Sequence, residues 1–133
     1  MITLGVDYGR RKIGLAIAEA GLAQPYKVLR ITKLAKAVEK VAKEAVSIGV
    51  SKIIVGVSES EMGRESSNFA LELAQATGLV IETSDETLTS TEAQNMAIAA
   101  GLSRKKRRQM EDAYAASLML QNYLDFSHNK TNP

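Results

Sequence analysis

The sequence of 133 residues has no cysteine and only one histidine, His128. The absence of cysteine excludes disulfides and thiolate metal sites and favours an intracellular protein, which we expect in the cytoplasm. A single histidine gives no basis for a zinc site built from several histidines, and it disfavours Ser-His-Asp catalysis. The thiol-dependent and histidine-dependent classes of enzyme are therefore set aside.

Long apolar runs and aromatic residues are also scarce. No apolar stretch approaches the ~20 residues of a membrane-spanning helix, and the chain enters a predicted strand at once, without a signal peptide. We therefore expect no membrane partner. Aromatic residues make up 5% of the chain, which is too few for the stacking platforms of proteins that bind single-stranded nucleic acid.

An alternating pattern at the start of the chain predicts a β-hairpin. Two runs with the period of a half-buried strand are joined by a short basic turn. The apolar positions of both strands point to one face: Ile2, Leu4, Val6, Ile13, Leu15 and Ile17. Asp7 points to the other face, among Gly5, Gly14, Ala16 and Ala18. This face of small residues leaves room for a closely packed helix or for a ligand.

Later segments show strand and helix patterns in turn. Further strands are predicted at 22–31, 52–57 and 79–83, and helices at 33–48, from Ser66 or Ser67 to 77, from the capping box at 89–92 to 100, and at 107–125. The basic face of the first helix is interpreted as solvated. The predicted fold class is α/β: a mixed five-stranded sheet, an antiparallel meander followed by parallel strands, with helices on both faces. We expect one domain over 1–126 and a disordered tail at 127–133.

Acidic residues stand at three places with unusual surroundings. Asp7 ends the first strand, Asp85 and Glu86 follow the last strand, and Asp112 lies near the start of the final helix. Ligands of open α/β sheets bind at the carboxyl ends of strands. Alanines one turn after Asp112 can pack on the Gly/Ala face that holds Asp7, and this packing would bring Asp112 toward Asp7.

Carboxylates gathered without histidine or cysteine suit a hard cation such as Mg²⁺ or Mn²⁺. Two such ions about 4 Å apart can stabilise the attacking and leaving oxygens of phosphodiester hydrolysis. Each acid also has a purely structural interpretation, Asp7 and Asp85 as turn formers and Asp112 as an acid favoured by the helix dipole. The metal-site hypothesis depends on the three places converging in space.

Two basic clusters adjoin these acids, one in the turn after Asp7 and one a turn before Asp112. As candidate nucleic-acid contacts they comprise Arg10, Arg11 and Lys12 in the first cluster and Arg104, Lys105, Lys106, Arg107 and Arg108 in the second. Cations beside an acidic site would hold the phosphates that flank a scissile bond. A charge run is otherwise a solvated stretch, and at this point both interpretations stay open.

Four motifs together resemble the YqgF/RuvX family. They are Val-Asp-Tyr-Gly-Arg-Arg-Lys-Ile-Gly at 6–14, Ile-Ile-Val-Gly-Val at 53–57, Asp-Glu-Thr-Leu-Thr-Ser at 85–90 and Glu-Asp-Ala-Tyr-Ala-Ala at 111–116. The similarity spans nearly the whole chain. Members of this family are described as Holliday junction resolvases or as nucleases of pre-16S ribosomal RNA.

The resemblance implies a ribonuclease-H-like fold related to that of the RuvC resolvases. It implies a metal-dependent nuclease, with Mg²⁺ or Mn²⁺ as cofactor. Its catalytic and metal-binding acids map to Asp7, Glu86 and Asp112, with Asp85 as the alternative to Glu86. The function expected from the resemblance is processing of the 5′ end of pre-16S ribosomal RNA by a monomer or weak homodimer.

Three alternatives remain at the level of the sequence. A DNA endonuclease acting on Holliday junctions would need two sites and hence a stable two-fold dimer. A non-catalytic nucleic-acid-binding module is suggested by Thr87, which stands where the family usually has an arginine; a second departure, Ser58 in place of the usual proline, bears on the loop at 58–65. A nucleotide-binding phosphotransferase, suggested by Asp-Tyr-Gly at 7–9, ranks low because such enzymes need two domains.

Overall fold

The predicted hairpin opens the structure. In the computed structural model, β1 (Ile2–Asp7) pairs antiparallel with β2 (Lys12–Glu19), and Asp7 lies opposite Gly14. Because Asp7 is paired, it is the last residue of the strand and does not belong to the turn. The structure describes residues 1–57, 61–85, 95 and 98–131, without the side chains of 61, 62 and 127–131.

Three more strands complete the sheet: β3 (Leu22–Arg30), β4 (Lys52–Val57) and β5 (Val80–Asp85). The strand order is β3-β2-β1-β4-β5, with antiparallel pairing from β3 to β1 and parallel pairing from β1 through β4 to β5. Pro25 lies on the edge strand β3, where its missing N–H interrupts no central ladder. The predicted α/β class with a mixed five-stranded sheet is confirmed.

Helices α1 (Leu34–Ile48) and α2 (Glu61–Thr77) follow β3 and β4. The end predicted for α1 is confirmed, because Gly49 adopts a left-handed φ of 80°. The start predicted for α2, at Ser66 or Ser67, is wrong. Gly63 and Ser66 are both buried, so the inward face of the helix continues for another turn through residues too small or too polar to show an apolar period.

Helix α3 (Arg104–Thr131) begins earlier and ends later than predicted. The hydroxyl of Ser103 accepts a hydrogen bond of 3.3 Å from the backbone N–H of Lys106, which is the contact of an N-cap residue. The backbone is helical as far as Thr131, where the sequence predicts a disordered tail. Most of the helix predicted at 89–100 lies outside the described residues. Among those residues, none of the helices has the length and apolar character to cross a membrane.

Both faces of the sheet are covered, as predicted. The apolar face of the hairpin forms a core with α1 and α2, in which Phe69 is the largest fully buried side chain. The opposite face, built from Ala16, Ala18 and Ile54, packs against α3. The single long helix α3 therefore covers the small-residue face that holds Asp7.

Polar contacts fix the far half of α3. The side-chain amide of Gln121 bridges the β2–β3 turn, accepting from the N–H of Ala23 at 2.8 Å and donating to the carbonyl of Gly21 at 3.0 Å. Two residues after Gln121, the hydroxyl of Tyr123 accepts a hydrogen bond of 2.7 Å from Lys52 and donates one to Glu82. Chiefly through the Tyr123 hydrogen bonds, the pKa of Lys52 is raised and the pKa of Glu82 is lowered.

Candidate metal centre and nucleic-acid interface

One end of the sheet collects the predicted site residues. Four strands end there and β2 begins there, as the pairing registers require. This end carries Asp7, Lys12, Arg30 and Asp85, and we call it the Asp7 end. Helix α3 starts at the same end, because its Gln121 contacts the β2–β3 turn at the opposite end.

Asp112 is held beside Asp7 because Gly14 has no side chain. A β-carbon placed on Gly14 would lie 1.8 Å from the Asp112 carbonyl oxygen, so the helix backbone touches the strand directly. Gly14 is the antiparallel partner of Asp7, and the Cα atoms of such partners are about 4.5–5.5 Å apart. The Asp7 side chain points to this face as well, since Gly5, two residues earlier, faces Leu120 of α3. The close packing of the final helix on the small-residue face, expected from the sequence, is present.

Glycines flank Asp7 on both sides within the sheet. Gly14 lies opposite Asp7 on β2, and Gly56 lies beside it on β4. Neither neighbouring strand therefore places a side chain next to the Asp7 carboxylate, which is half-buried, as Asp112 is. The space beside Gly14 is taken by the backbone of α3 at Asp112.

Asp85 and Glu86 differ in what the structure says of them. Asp85 is the last residue of β5 and pairs with Val57, one residue beyond the row that joins Asp7, Gly56 and Ser84. Successive residues of a strand point to opposite faces, so Asp85 points away from the α3 face to which Asp7 points. Glu86 lies outside the described residues, as do Thr87 and Ser58.

The described residues do not by themselves complete a metal site. Within that part of the chain, no group of three or more histidine, aspartate or glutamate side chains is placed to hold a metal ion. Asp7 and Asp112 supply carboxylate oxygens, the donors that Mg²⁺ and Mn²⁺ prefer. A third protein ligand would have to come from a residue outside the described ranges, and the roles of Asp7, Glu86 and Asp112 stay predictions.

The turn after Asp7 is anchored on α2. Arg10 forms an ion pair of 2.8 Å with Glu65, but the side chains are 62% and 39% exposed, and such surface pairs contribute at most about 1 kcal/mol. The Tyr8 ring contacts Phe69 with 4.9 Å between centroids. Burial, reinforced by the carboxylate of Glu65, raises the pKa of the Tyr8 hydroxyl. The turn after Asp7 therefore carries the neutral phenol of Tyr8 and the cation of Arg10, whose ion pair with Glu65 is weak.

The second basic cluster forms the first turns of α3. Its five cations occupy positions where the helix dipole is positive, and no acidic residue stands in the first turn to offset them. Part of the cluster lines a cavity of about 250 Å³ together with Glu111. Cations at a helix N-terminus are destabilising on their own, so an anionic partner at this place would relieve their repulsion.

A larger basic cleft was not predicted from the sequence. It has a volume of about 970 Å³ and lies between the hairpin turn, the end of β3 and the start of α1. Its charged lining residues are Arg10, Arg11, Lys12, Arg30, Lys36 and Lys40. The signal available in the sequence was the spacing of Lys36 and Lys40, which places both on one face of α1. From the sequence alone, this basic face of α1 is interpreted as solvated.

Comparison with known proteins agrees with this arrangement. The sequence model of the RuvX family, described as Holliday junction resolvase, matches residues 1–126. The chain belongs to the RuvX family. Its relatives include proteins named "Putative pre-16S rRNA nuclease" from Natranaerobius thermophilus, 38% identical over 99% of both chains, and from Rickettsia conorii, 34% identical over 95% of this chain and 87% of that protein.

Solved structures show the same fold at low sequence identity. The RuvC resolvase of Thermus thermophilus in complex with a Holliday junction superposes with a TM-score of 0.64 at 15% identity, over 96% of both chains. The fowlpox virus resolvase with its junction DNA gives 0.69 at 11% identity, over 96% of this chain and 99% of that one. The ribonuclease-H-like fold implied by the resemblance is confirmed.

Proposed function

We propose that this RuvX-family protein is a metal-dependent nuclease that hydrolyses phosphodiester bonds in structured RNA and processes the 5′ end of pre-16S ribosomal RNA. The observation that carries the proposal is the contact of the Asp112 backbone with Gly14, the strand partner of Asp7, which supports a site shared by Asp7 and Asp112. The names of the relatives support the RNA substrate.

The residues present fit a hard divalent cation. Asp7 and Asp112 offer oxygen donors, and both are half-buried residues near Gly14, where the backbone of α3 meets the sheet. These two residues and Glu86 would hold Mg²⁺ or Mn²⁺, which when bound activates water and stabilises charge on the leaving oxygen of a phosphodiester. We choose Glu86 over Asp85 because Asp85 points to the opposite face of the sheet.

The chain's own cations would position the substrate. Phosphate contacts fix the register of a nucleic acid without reading its sequence. We assign this role to the turn at 10–12 and to the start of α3 at 104–108, which both lie at the Asp7 end. Arg10 would exchange its exposed contact with Glu65 for a phosphate oxygen, at a cost of no more than about 1 kcal/mol.

A DNA junction resolvase is the second candidate. The printed description of the family and the fold shared with two junction-bound resolvases favour it. A junction enzyme needs two active sites and a stable two-fold dimer, whereas the RNA enzyme would act as a monomer or weak homodimer. The oligomeric state therefore bears directly on the choice.

The experiment is cleavage of a labelled pre-16S RNA and of a four-way DNA junction, each with Mn²⁺ or Mg²⁺. Wild type is compared with Asp7→Asn, Asp112→Asn, Glu86→Gln and Asp85→Asn. Asp125→Asn serves as the matched control, because it neutralises the same residue type on the same helix at the far end of the sheet. We expect cleavage of RNA by wild type and the control, and loss of at least 100-fold on substitution of each proposed ligand.

Other results would change the assignment. Preferred cleavage of the junction by a stable dimer would favour the resolvase. Equal cleavage by wild type and Asp7→Asn would place the active site elsewhere. Salt-sensitive binding of RNA without cleavage by any variant, with either metal, would favour the non-catalytic binding module.

A further inference from the structure

The basic cleft lies at the Asp7 end of the sheet, between the hairpin turn, the end of β3 and the start of α1. Helix α1 packs on the apolar face, whereas Asp7 points to the face covered by α3, where the Asp112 backbone contacts Gly14. The two regions share the Asp7 end of the sheet and are joined by the turn at 10–12. A phosphate backbone leaving the acids across this turn would enter the cleft.

Two hydrogen bonds join the three segments that line the cleft: the hairpin turn, the end of β3 and the start of α1. The N–H of Ile31, which is buried, donates to the carbonyl of Arg11 at 2.9 Å, and this ties the turn to the segment that leads into α1. Lys40 donates to the carbonyl of Arg30 at 2.7 Å, which fixes the first turns of α1 against the end of β3. The three segments that carry the cations are therefore tied to one another.

Positive charge in the cleft is not balanced by the residues that line it. The lining contains six cations and no carboxylate. Within the described part of the chain, no carboxylate forms an ion pair with Arg11, Lys12 or Arg30, and Lys36 reaches only its exposed helix neighbour Glu39, at 3.5 Å. Repulsion among such cations is relieved when a polyanion binds and releases its counterions.

The start of α1 adds to the same potential. Its N-cap residue, Lys33, makes no side-chain capping bond, and no acid stands in the first turn. The partial positive charge of the helix N-terminus is therefore directed toward the cleft without a local anion to neutralise it. This observation depends on backbone geometry and is independent of the lysine and arginine side chains.

We propose that this cleft binds the backbone phosphates of a double-helical arm that flanks the cleaved bond, as a second nucleic-acid site at the Asp7 end of the sheet, beside α1. The inference rests on the proposed nuclease function. Arg30 lies two strands from Asp7, or about 10 Å across the sheet, which corresponds to about three base pairs along one strand. The arm would thus be engaged from about the third base pair onward.

The test measures binding in EDTA, so that it does not depend on metal or on cleavage. Fluorescence anisotropy follows the association of wild type, Arg30→Gln and Lys36→Gln with RNA hairpins whose duplex stems have about 3 and about 12 base pairs, each joined to the same single-stranded segment. A DNA duplex of the same sequence distinguishes an RNA arm from a DNA arm. Lys43→Gln is the matched control, since Lys43 is an exposed lysine of the same helix that does not line the cleft.

We expect Arg30→Gln and Lys36→Gln each to weaken binding of the long duplex by about fivefold to tenfold in 0.1 M salt. The dependence of log affinity on log salt concentration should become less steep by the amount expected for about one lost phosphate contact. Binding of the short duplex, and binding by Lys43→Gln, should match wild type. Equal affinities and slopes for all variants on the long duplex would overturn the inference. If wild type cleaves RNA but all variants bind the long duplex equally, the cleft inference is overturned and the proposed activity stands. If Arg30→Gln and Lys36→Gln weaken binding but wild type never cleaves, the proposed activity is overturned and the cleft inference stands.

Discussion

Substitution of Gly14 by alanine tests the contact on which the candidate site depends. The added β-carbon would lie 1.8 Å from the Asp112 carbonyl oxygen, and real β-carbons essentially never come within 3.0 Å of such a neighbour. The helix backbone must therefore withdraw by at least 1.2 Å, the difference between these two distances. A backbone carbonyl cannot turn aside as a flexible side chain can.

The expected loss can be bounded from this displacement. Overpacking of a core costs about 1–3 kcal/mol where side chains can adjust, so a clash with backbone should cost about 3 kcal/mol or more. With a urea dependence of about 1–3 kcal/mol per molar, the unfolding midpoint should fall by at least about 1 M. A shift of about 1 Å at a catalytic group can lower activity by about 100-fold, and we expect that loss in RNA cleavage below the melting temperature.

Gly5→Ala is the matched control, on the same strand face and under the same helix. Its β-carbon would meet the β-carbon of Leu120 at 2.9 Å, which requires a smaller shift than at Gly14, and the stability loss should be about 1–2 kcal/mol. Urea unfolding followed by circular dichroism compares the two variants. Equal midpoints for Gly14→Ala and Gly5→Ala would refute the direct seating of α3 on the hairpin, and with it the proposed pairing of Asp7 and Asp112.

Three further predictions concern metal, pH and the far end of the sheet. Mg²⁺ or Mn²⁺ at 100 times its dissociation constant should stabilise wild type by about 2.7 kcal/mol and raise its melting temperature. This rise should be absent in Asp7→Asn and present in the control Asp125→Asn. An equal rise in both variants would locate the ion elsewhere. Because the pKa of Glu82 is lowered in the folded protein, its stabilisation is present above the unfolded pKa of about 4.3 and is lost as the pH falls through the folded value. Glu82→Gln should therefore reduce stability at pH 7, by less than about 1 kcal/mol because the ion pair of Glu82 with Lys52 is exposed. In urea titrations at pH 2 the variant should match wild type. A difference that persists in acid would contradict the electrostatic origin of the effect. Gln121→Ala removes two hydrogen bonds to the β2–β3 turn and should cost about 1–2 kcal/mol, whereas an unchanged urea midpoint would mean that water replaces both bonds without loss.

The hairpin and its two faces could be predicted because strand alternation is a local property of the sequence. The same pattern predicted the approach of α3, since glycine and alanine on one strand face admit a backbone where larger side chains would not. Local signals misplaced two helix starts. Gly63 and Ser66 continue the buried face of α2 without apolar side chains, and Ser103 caps α3 ahead of a basic run that shows no helical period.

The basic cleft was missed because it joins segments that are distant in sequence. Arg11 belongs to the hairpin turn, Arg30 to the end of an edge strand and Lys36 to a helix, and each alone is an ordinary exposed cation. Only the strand order brings them together, by placing β3 beside β2 and returning the chain into α1 over the same end. The acids could be proposed from the sequence because each stands in its own recognisable motif, whereas the cations of the cleft stand in none apart from the hairpin turn.

Charge at the Asp7 end provides a physical reason for a nucleic-acid partner beyond family membership. The protein carries a formal net charge of only +2, yet the cleft, the hairpin turn and the first turns of α3 concentrate their cations at one end of the sheet. Two helix N-termini, those of α1 and α3, add partial positive charge there, and neither has an acid in its first turn. Arg, Lys and helix N-termini repel one another unless an anion intervenes, and a solvated ion atmosphere compensates them only at a cost in free energy. In the proposed complex, a nucleic-acid backbone would run from the Asp7 site to the cleft, and its phosphates would release condensed counterions as they meet these cations.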